Sequence, residues 1–420
     1  MEARPIFPRL AALALTIALG FALCGSSTAL EAAPQSAQAA GKNAAARAVL
    51  TRKLNAALAS AKIPSSQRAA EVVDLATGEV IFSQHASGPL APASNEKLPI
   101  TLAALMLLGP GYRISTEVLG EGEQQGNEWL GDLVLKGYGD PDLSTGDLKR
   151  LARGVRAAGI RSVSGNLVAD ESYFDRNRTA PGWKSFFLIN ECAPLSALSV
   201  DRGRVTSASP PLVAARVFRK MLASSGVKVK GNPRAGVASS EALSIASVES
   251  PQLWNLLRFM DRESDNYSAE LMLKQIGAYE NDRGTTANGA ATVRSVLADA
   301  GISLAGVRIA DGSGLSQRDR LTAAALSQLL LVAWSDTTIR SPFVGALSIA
   351  GRVGTLSHRL RLRPAFGNVY AKTGTTNSAS ALSGYVRNRY AFVILQNGSP
   401  VAAARARAAQ DRFVTVLAAQ

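Results

Sequence analysis

The stretch "PASNEKLPITLAALMLL", Pro92–Leu108, sets a serine and a lysine three residues apart at the mouth of a long apolar run. On a helix, positions i and i+3 share a face. Ser94 and Lys97 are therefore expected side by side in the first turn of a buried helix. A partly desolvated lysine there loses its proton readily and can act as base toward the serine. The N–H groups of a helix start also favour a developing oxyanion. The same residues suit an ordinary helix start with Ser94 as its cap. Pro99 cannot donate to the Asn95 carbonyl, so a slight bend is expected.

On the N-terminal side, "AAEVVDLATGEVIFSQ" (Ala69–Gln84) alternates about Ala76-Thr77-Gly78, a hairpin pattern. After "GPGY", short strand-like runs alternate with Gly/Asp/Pro turns and helical pieces. This reads as an inserted mixed α/β module over 112–250. From Pro251 apolar residues recur at helical spacing. After Asn368 come three strand patterns, "VYAKTGTT", "ASALSGYV" and "RYAFVILQNG", and an amphipathic helix over Val401–Ala419. The outer segments, 47–111 and 251–420, thus supply five strands with flanking helices, an α/β domain interrupted by the insert.

The chain begins with Arg4 and Arg9, an apolar block Leu10–Leu23, and small residues at Ser27 and Ala29. Residues 1–29 are expected to be a signal peptide and 30–46 an Ala/Gln/Ser-rich linker. Export to the periplasm or cell envelope follows. Cys24 leaves with the signal, so Cys192 has no internal partner and is expected to be buried as a small apolar residue. The net charge is +14, yet the basic residues are scattered and aromatics make up 6%. No basic–aromatic stripe points to nucleic acid, and anionic envelope polymers are the expected neighbours. His85 and His358 are the only histidines. That argues against an imidazole metal site and a Ser-His-Asp triad, and leaves lysine as the natural base.

Two further patterns join the first. "ESDNYSAE" holds Ser264-Asp265-Asn266, a hydroxyl and an amide at alternate positions ahead of a helix. Ser264 is placed to relay protons and Asn266 to bind an amide. "VYAKTGTT" holds Lys372-Thr373-Gly374 on a strand, where an extended peptide can pair. Lys372 supplies positive potential, Thr373 donates to a carboxylate, and Gly374 leaves room for close approach. The Thr375 N–H can join that of Ser94 as an oxyanion pair. Each pattern alone is weak: Ser225-Gly226-Val227-Lys228 repeats the first, and Ser164-Gly165-Asn166 mimics the second. Their order and settings, a helix start, a helical region and a late strand, are those of penicillin-recognising serine enzymes.

With "GYGDPDL", "SGNLVADESYFD", "APGW", "APLSALSV", "ADGSGLS", "IAGRVGTLSHRL" and "LSGYV" added, nearly the whole mature chain resembles the low-molecular-mass class C penicillin-binding proteins. These are the D-alanyl-D-alanine carboxypeptidase/endopeptidase, penicillin-binding protein 4-like family. The resemblance implies a serine β-lactamase/transpeptidase-like domain, an antiparallel sheet flanked by helices plus a helical subdomain, with one inserted mixed α/β domain. It implies a D,D-peptidase in which Ser94 attacks the penultimate D-Ala carbonyl of a peptidoglycan stem peptide and Lys97 takes its proton. Ser264 then serves the leaving D-Ala, Asn266 holds the peptide amide, and Lys372 and Thr373 hold the terminal carboxylate. Asp170 and Phe174 would contact the stem peptide from the insert. β-Lactams would acylate Ser94, and no cofactor is implied. Two departures stand out. "SALSVDRGRVTSAS" runs straight into "PPLVAARVF" where relatives often nest a third domain, and Gln317 followed by Arg318 stands where they tend to have Arg. A serine β-lactamase or esterase, and a non-catalytic peptidoglycan-binding protein, remain open alternatives. Oligomeric state leaves no mark on the sequence.

Overall fold

The computed structural model describes residues 32–420 apart from 205, 206 and 208, and gives the backbone alone for 32–44 and 189. The signal peptide expected over 1–29 lies outside the described residues. The described residues divide into two compact units, with the boundary between Val49 and Leu50. Helix α1 spans Ala32–Ala59, so most of the expected linker, 30–46, is helical. Its alanines have the highest helix propensity of any residue, and the linker reading gave them too little weight.

In the larger unit, β1 (Arg68–Asp74) and β2 (Val80–Gln84) form the hairpin. Asp74 Oδ1 accepts from the N–H groups of Ala76 and Thr77, which turns the chain. Helix α2 spans Lys97–Leu108. It is apolar on nearly every side, and Lys97 through Leu105 are all buried, as such a sequence requires.

The stretch that follows builds a sheet of its own from β3 (Ser115–Gln125), β4 (Glu128–Gly137), β5 (Ser162–Val163), β6 (Leu167–Asp170), β7 (Lys228–Val229), β8 (Pro233–Ala235) and β9 (Leu243–Glu249). The order is β7-β5-β4-β3-β9, with β6 beside β4 and β8 beside β6. Helices α3 (Thr145–Ala157) and α5 (Pro210–Ser224) pack on it, and the short α4 (Phe187–Asn190) lies between them in sequence. Trp129, Leu133, Leu148 and Phe218 share its core. Ser144 and Asp147 cap α3 reciprocally.

A helical group then follows: α6 (Leu253–Arg262), α7 (Asn266–Asn281), α8 (Thr286–Asp299), α9 (Ala323–Ser335) and α10 (Arg340–Ala346). Strands β10 (Ser348–Ile349), β11 (Val369–Thr375), β12 (Ala379–Val386) and β13 (Tyr390–Asn397) complete the first sheet, and α11 (Ala403–Ala418) ends the chain. The sheet order is β10-β11-β12-β13-β1-β2, antiparallel throughout. Six strands stand where five were expected. The extra one, β10, spans two residues and is too short for an alternation pattern. α1 and α11 pack on one face of the sheet through Leu54, Leu58, Phe413 and Leu417. α2, α7, α8 and α9 share the core on the other through Leu102, Met272, Val293 and Leu329. Among the described residues no helix is long and apolar enough to cross a membrane.

Candidate active site

Ser94 lies in a 3-10 turn, Ala93–Glu96, and the α-helix starts only at Lys97. The expected helical first turn is thus tighter. The later start also accounts for Pro99: as the third helical residue it lacks an N–H that would have had no intrahelical acceptor. Ala93 is held at φ +47°, a conformation an alanine adopts only under constraint. Two glycines let the chain pack closely around it. A Cβ on Gly314 would sit 1.9 Å from the Ala93 carbonyl oxygen, and one on Gly374 would sit 3.0 Å from the Ser94 nitrogen. Asn95, fully buried, fixes the turn to the sheet: Nδ2 donates to the Lys372 carbonyl at 3.0 Å, and Oδ1 accepts from Ser383 Oγ at 2.6 Å.

Lys97 is fully buried. Its Nζ donates to the Ser313 carbonyl at 2.7 Å and to Asn266 Oδ1 at 2.9 Å, and lies 3.1 Å from Ser94 Oγ. The first two partners can only accept. A neutral amine satisfies both with its two N–H bonds and turns its lone pair to Ser94, whose hydroxyl can donate. Burial lowers the Lys97 pKa, while Asp311, Asp265, Asp261 and Glu270 pull it back up. Asn266 is the first residue of α7, and its Nδ2 donates to the Glu191 carbonyl at 3.0 Å.

Lys372, on β11, is fully buried too. Its Nζ donates to Ser264 Oγ at 2.9 Å and to the Thr373 carbonyl at 2.9 Å. Burial first, and the nearby Lys97 charge second, lower its pKa to about 7. Ser264 sits at φ +57° ahead of α7, and Asp265 caps that helix through the Ser268 N–H. Arg202, from the insert, pairs with Asp265 and donates to Ser268 Oγ at 3.0 Å. Thr373 Oγ1 lies 2.7 Å from Thr355 Oγ1, and Thr375 Oγ1 accepts from Arg407 Nη2 at 3.2 Å. Ser94, Lys97, Ser264, Asn266, Lys372, Thr373, Gly374 and Thr375 thus meet around the Ala93–Glu96 turn. A cavity of about 800 Å³ adjoins it, with walls that include Ala93, Lys184, Gly314, Gln317, Thr375 and Asn377.

Asp170 and Phe174 do not join this group. Asp170 is fully enclosed at the end of β6, where it accepts from the N–H groups of Ser172 and Ala238 and faces Lys136 at 3.8 Å. Phe174 is buried against Gly139 and Gly284 and in a cluster with Leu271 and Ala278. Neither side chain offers surface to a peptide: the first closes a turn and the second fills a core. Cys192 is buried and unpaired, and burial pushes its thiol well up, so it is no nucleophile.

Below Lys97 the "ADGSGLS" loop is held by carboxyls that local patterns had not marked. Asp311 accepts from the N–H groups of Gly314 and Ser316, both at 2.7 Å, and from Trp183 Nε1 at 2.8 Å. Glu270 accepts from the N–H groups of Gly312 and Ser313 at 3.0 and 2.8 Å. These bonds aim the Ser313 carbonyl at Lys97. Burial, then the Asp311 charge, raise Glu96 well above its usual value and Glu270 to about 8.

The D-Ala-D-Ala carboxypeptidase 3 (S13) family model matches residues 50–211 and 205–420. A D-alanyl-D-alanine carboxypeptidase of Actinomadura sp. is 31% identical, over 88% of this chain and 84% of its own. A carboxypeptidase of Mycolicibacterium smegmatis is 31% identical, over 82% and 79%. Penicillin binding protein 4 of Haemophilus influenzae superposes with a TM-score of 0.76 at 22% identity, over 88% of this chain and 98% of that one, which shows the shared fold. A structure of the same protein complexed with a β-lactam gives a TM-score of 0.70, at the same identity and coverage. The match runs from residue 50 to 420, so the chain belongs to the D-Ala-D-Ala carboxypeptidase 3 (S13) family.

Proposed function

We propose that this serine D,D-peptidase acts on peptidoglycan stem peptides through a Ser94 acyl-enzyme. The Lys97 amine takes the Ser94 hydroxyl proton as Oγ attacks the penultimate D-Ala carbonyl. The N–H groups of Ser94 and Thr375 receive the oxyanion; the approach of Gly374 to the Ser94 nitrogen supports that pairing. Lys372 and Thr373 bind the terminal carboxylate, Asn266 binds the peptide amide, and the Ser264 hydroxyl passes a proton to the departing D-Ala nitrogen. Water then cleaves the ester. With a crosslink as substrate, the same steps give endopeptidase cleavage. A β-lactam offers a strained amide and a carboxylate in like positions and acylates the same serine.

The catalytic body is formed by 47–111 and 251–420, with 112–250 as an inserted module; separate sheets and separate cores support this division. The setting is the cell envelope, in keeping with the N-terminal signal pattern and the substrate, and no nucleic acid enters the reading.

One observation carries it: a fully buried lysine whose nitrogen meets two obligate acceptors and the Ser94 hydroxyl. The test is intact mass spectrometry after penicillin exposure. Wild type should gain one slowly hydrolysed adduct, and Ser94→Ala none. A label retained by Ser94→Ala rules out the nucleophile, and rapid turnover of the adduct favours a β-lactamase.

A further inference from the structure

The chain's basic residues are spread along it, but its acids thin out toward the C-terminal end. From Ala350 to Gln420 there are ten lysines and arginines and a single acid, Asp411. That acid is paired with Arg359 at 2.7 Å. α11 packs on β12, and the loop between β10 and β11 lies against α11 through the Arg359 bonds to Gln410 and Asp411. Arg361 and Arg363 on that loop, and Arg405 and Arg412 on α11, are exposed. Lys53 of α1 lines the same shallow groove as Arg412. The strip reaches the cleft: Arg359 Nη2 donates to the Arg407 carbonyl at 3.4 Å, and Arg407 Nη2 donates to Thr375 Oγ1 at 3.2 Å.

We propose that this basic strip is a docking surface for the peptidoglycan polymer, along which strands next to the one in the cleft lie through their free stem-peptide carboxylates. The proposal rests on the reading of the cleft as a stem-peptide site. Continuity with the cleft and charge complementarity select this occupant. A bilayer surface fits less well. Interfacial binding needs a continuous apolar face, and Leu362, 82% exposed, is the one large apolar side chain exposed over residues 350–420. Single exposed ion pairs contribute little. A field from many arginines raises the local concentration of an anionic polymer and fades with salt.

The test uses the full chain and the fourfold variant Arg361→Ser, Arg363→Ser, Arg405→Ser, Arg412→Ser. Cosedimentation with purified sacculi should weaken roughly tenfold at low salt, and the difference should close as salt approaches 1 M. D-Ala release from sacculi should fall, while the penicillin adduct forms at the wild-type rate. Equal binding of both proteins to sacculi, with normal adduct formation, overturns the docking surface and leaves the cleft reading intact. Loss of binding to phosphatidylglycerol vesicles with sacculus binding unchanged overturns it in favour of a bilayer. Absence of any adduct in the wild type brings down the cleft reading instead. Should the fourfold variant fail to fold, Arg405→Ser with Arg412→Ser, both on the helix surface, gives the same readout.

Discussion

Lys97 and Lys372 are chemically identical and equally buried, and the Lys97 charge lowers the Lys372 pKa, yet on the proposed mechanism their surroundings suit them to opposite tasks. Lys97 meets two acceptors that can only accept and one hydroxyl that can donate. That set is complete when the nitrogen is a neutral amine. Lys372 meets a hydroxyl and a carbonyl, with Ser264 Oγ and Thr373 O both at 2.9 Å. Asp261 acts on it from nearby, but no anion is among its hydrogen-bond partners, and the proposed mechanism has a substrate carboxylate fill that place. The difference lies in what each nitrogen still needs: Lys97 needs a proton, and Lys372 needs a counter-charge.

Removing one lysine at a time breaks the comparison most sharply. Lys97→Met should cut the acylation rate by roughly 10²–10⁴-fold, the range of a lost general base. Stopped-flow or intact-mass acylation kinetics on protein with a wild-type circular dichroism spectrum gives the check. Lys372→Met should cost roughly 10²-fold in kcat/KM for donors that carry a carboxylate, through the loss of a charge-assisted contact. Donors without one should react nearly as before, and equal losses for both donor types would contradict the anchor role.

Asn95 sharpens the comparison from beneath, since it ties the Ser94 turn to the strand that bears Lys372. Asn95→Ala leaves the Lys372 carbonyl and Ser383 Oγ without their partner. A loss of about 1–3 kcal/mol in unfolding free energy is expected, measured by chemical denaturation. Asp170 gives the smallest effect and serves as the control. Asp170→Asn should lower stability by about 1 kcal/mol and leave KM for a stem-peptide analogue unchanged. A raised KM would restore its contact with substrate.

The lysines, their serines and Asn266 were legible because each motif is local: Ser94–Lys97 spans four residues, and Ser264–Asn266 spans three. Motif order placed Lys97 on a helix, Asn266 at a helix start and Lys372 on a strand, while Ser94 fell in the 3-10 turn just ahead of its helix. What holds them was hidden. Ser313 reaches Lys97 across 216 residues of sequence, and Asn95 reaches the Lys372 carbonyl across 277. No local periodicity encodes such pairings. The 3-10 turn at Ser94 was missed because it packs against distant segments at Gly314 and Gly374, where a side chain would not fit. Asp170 and Phe174 misled for the opposite reason. Their segment is recognisable, but a turn-closing carboxylate and a core aromatic look the same in sequence as a binding pair.

The division of labour is tested most directly by the pH dependence of acylation, with one carboxylate-bearing donor and one neutral thioester. Lys97 serves as base only when neutral, so both rates should rise with pH as it loses its proton. Burial and the Lys97 charge bring the Lys372 pKa down to about 7, so its proposed hold on a carboxylate should weaken as pH rises through that value. The account predicts a rate that falls again above about 7 for the carboxylate donor, and a plateau for the neutral donor. The same falling limb for both donors would contradict it.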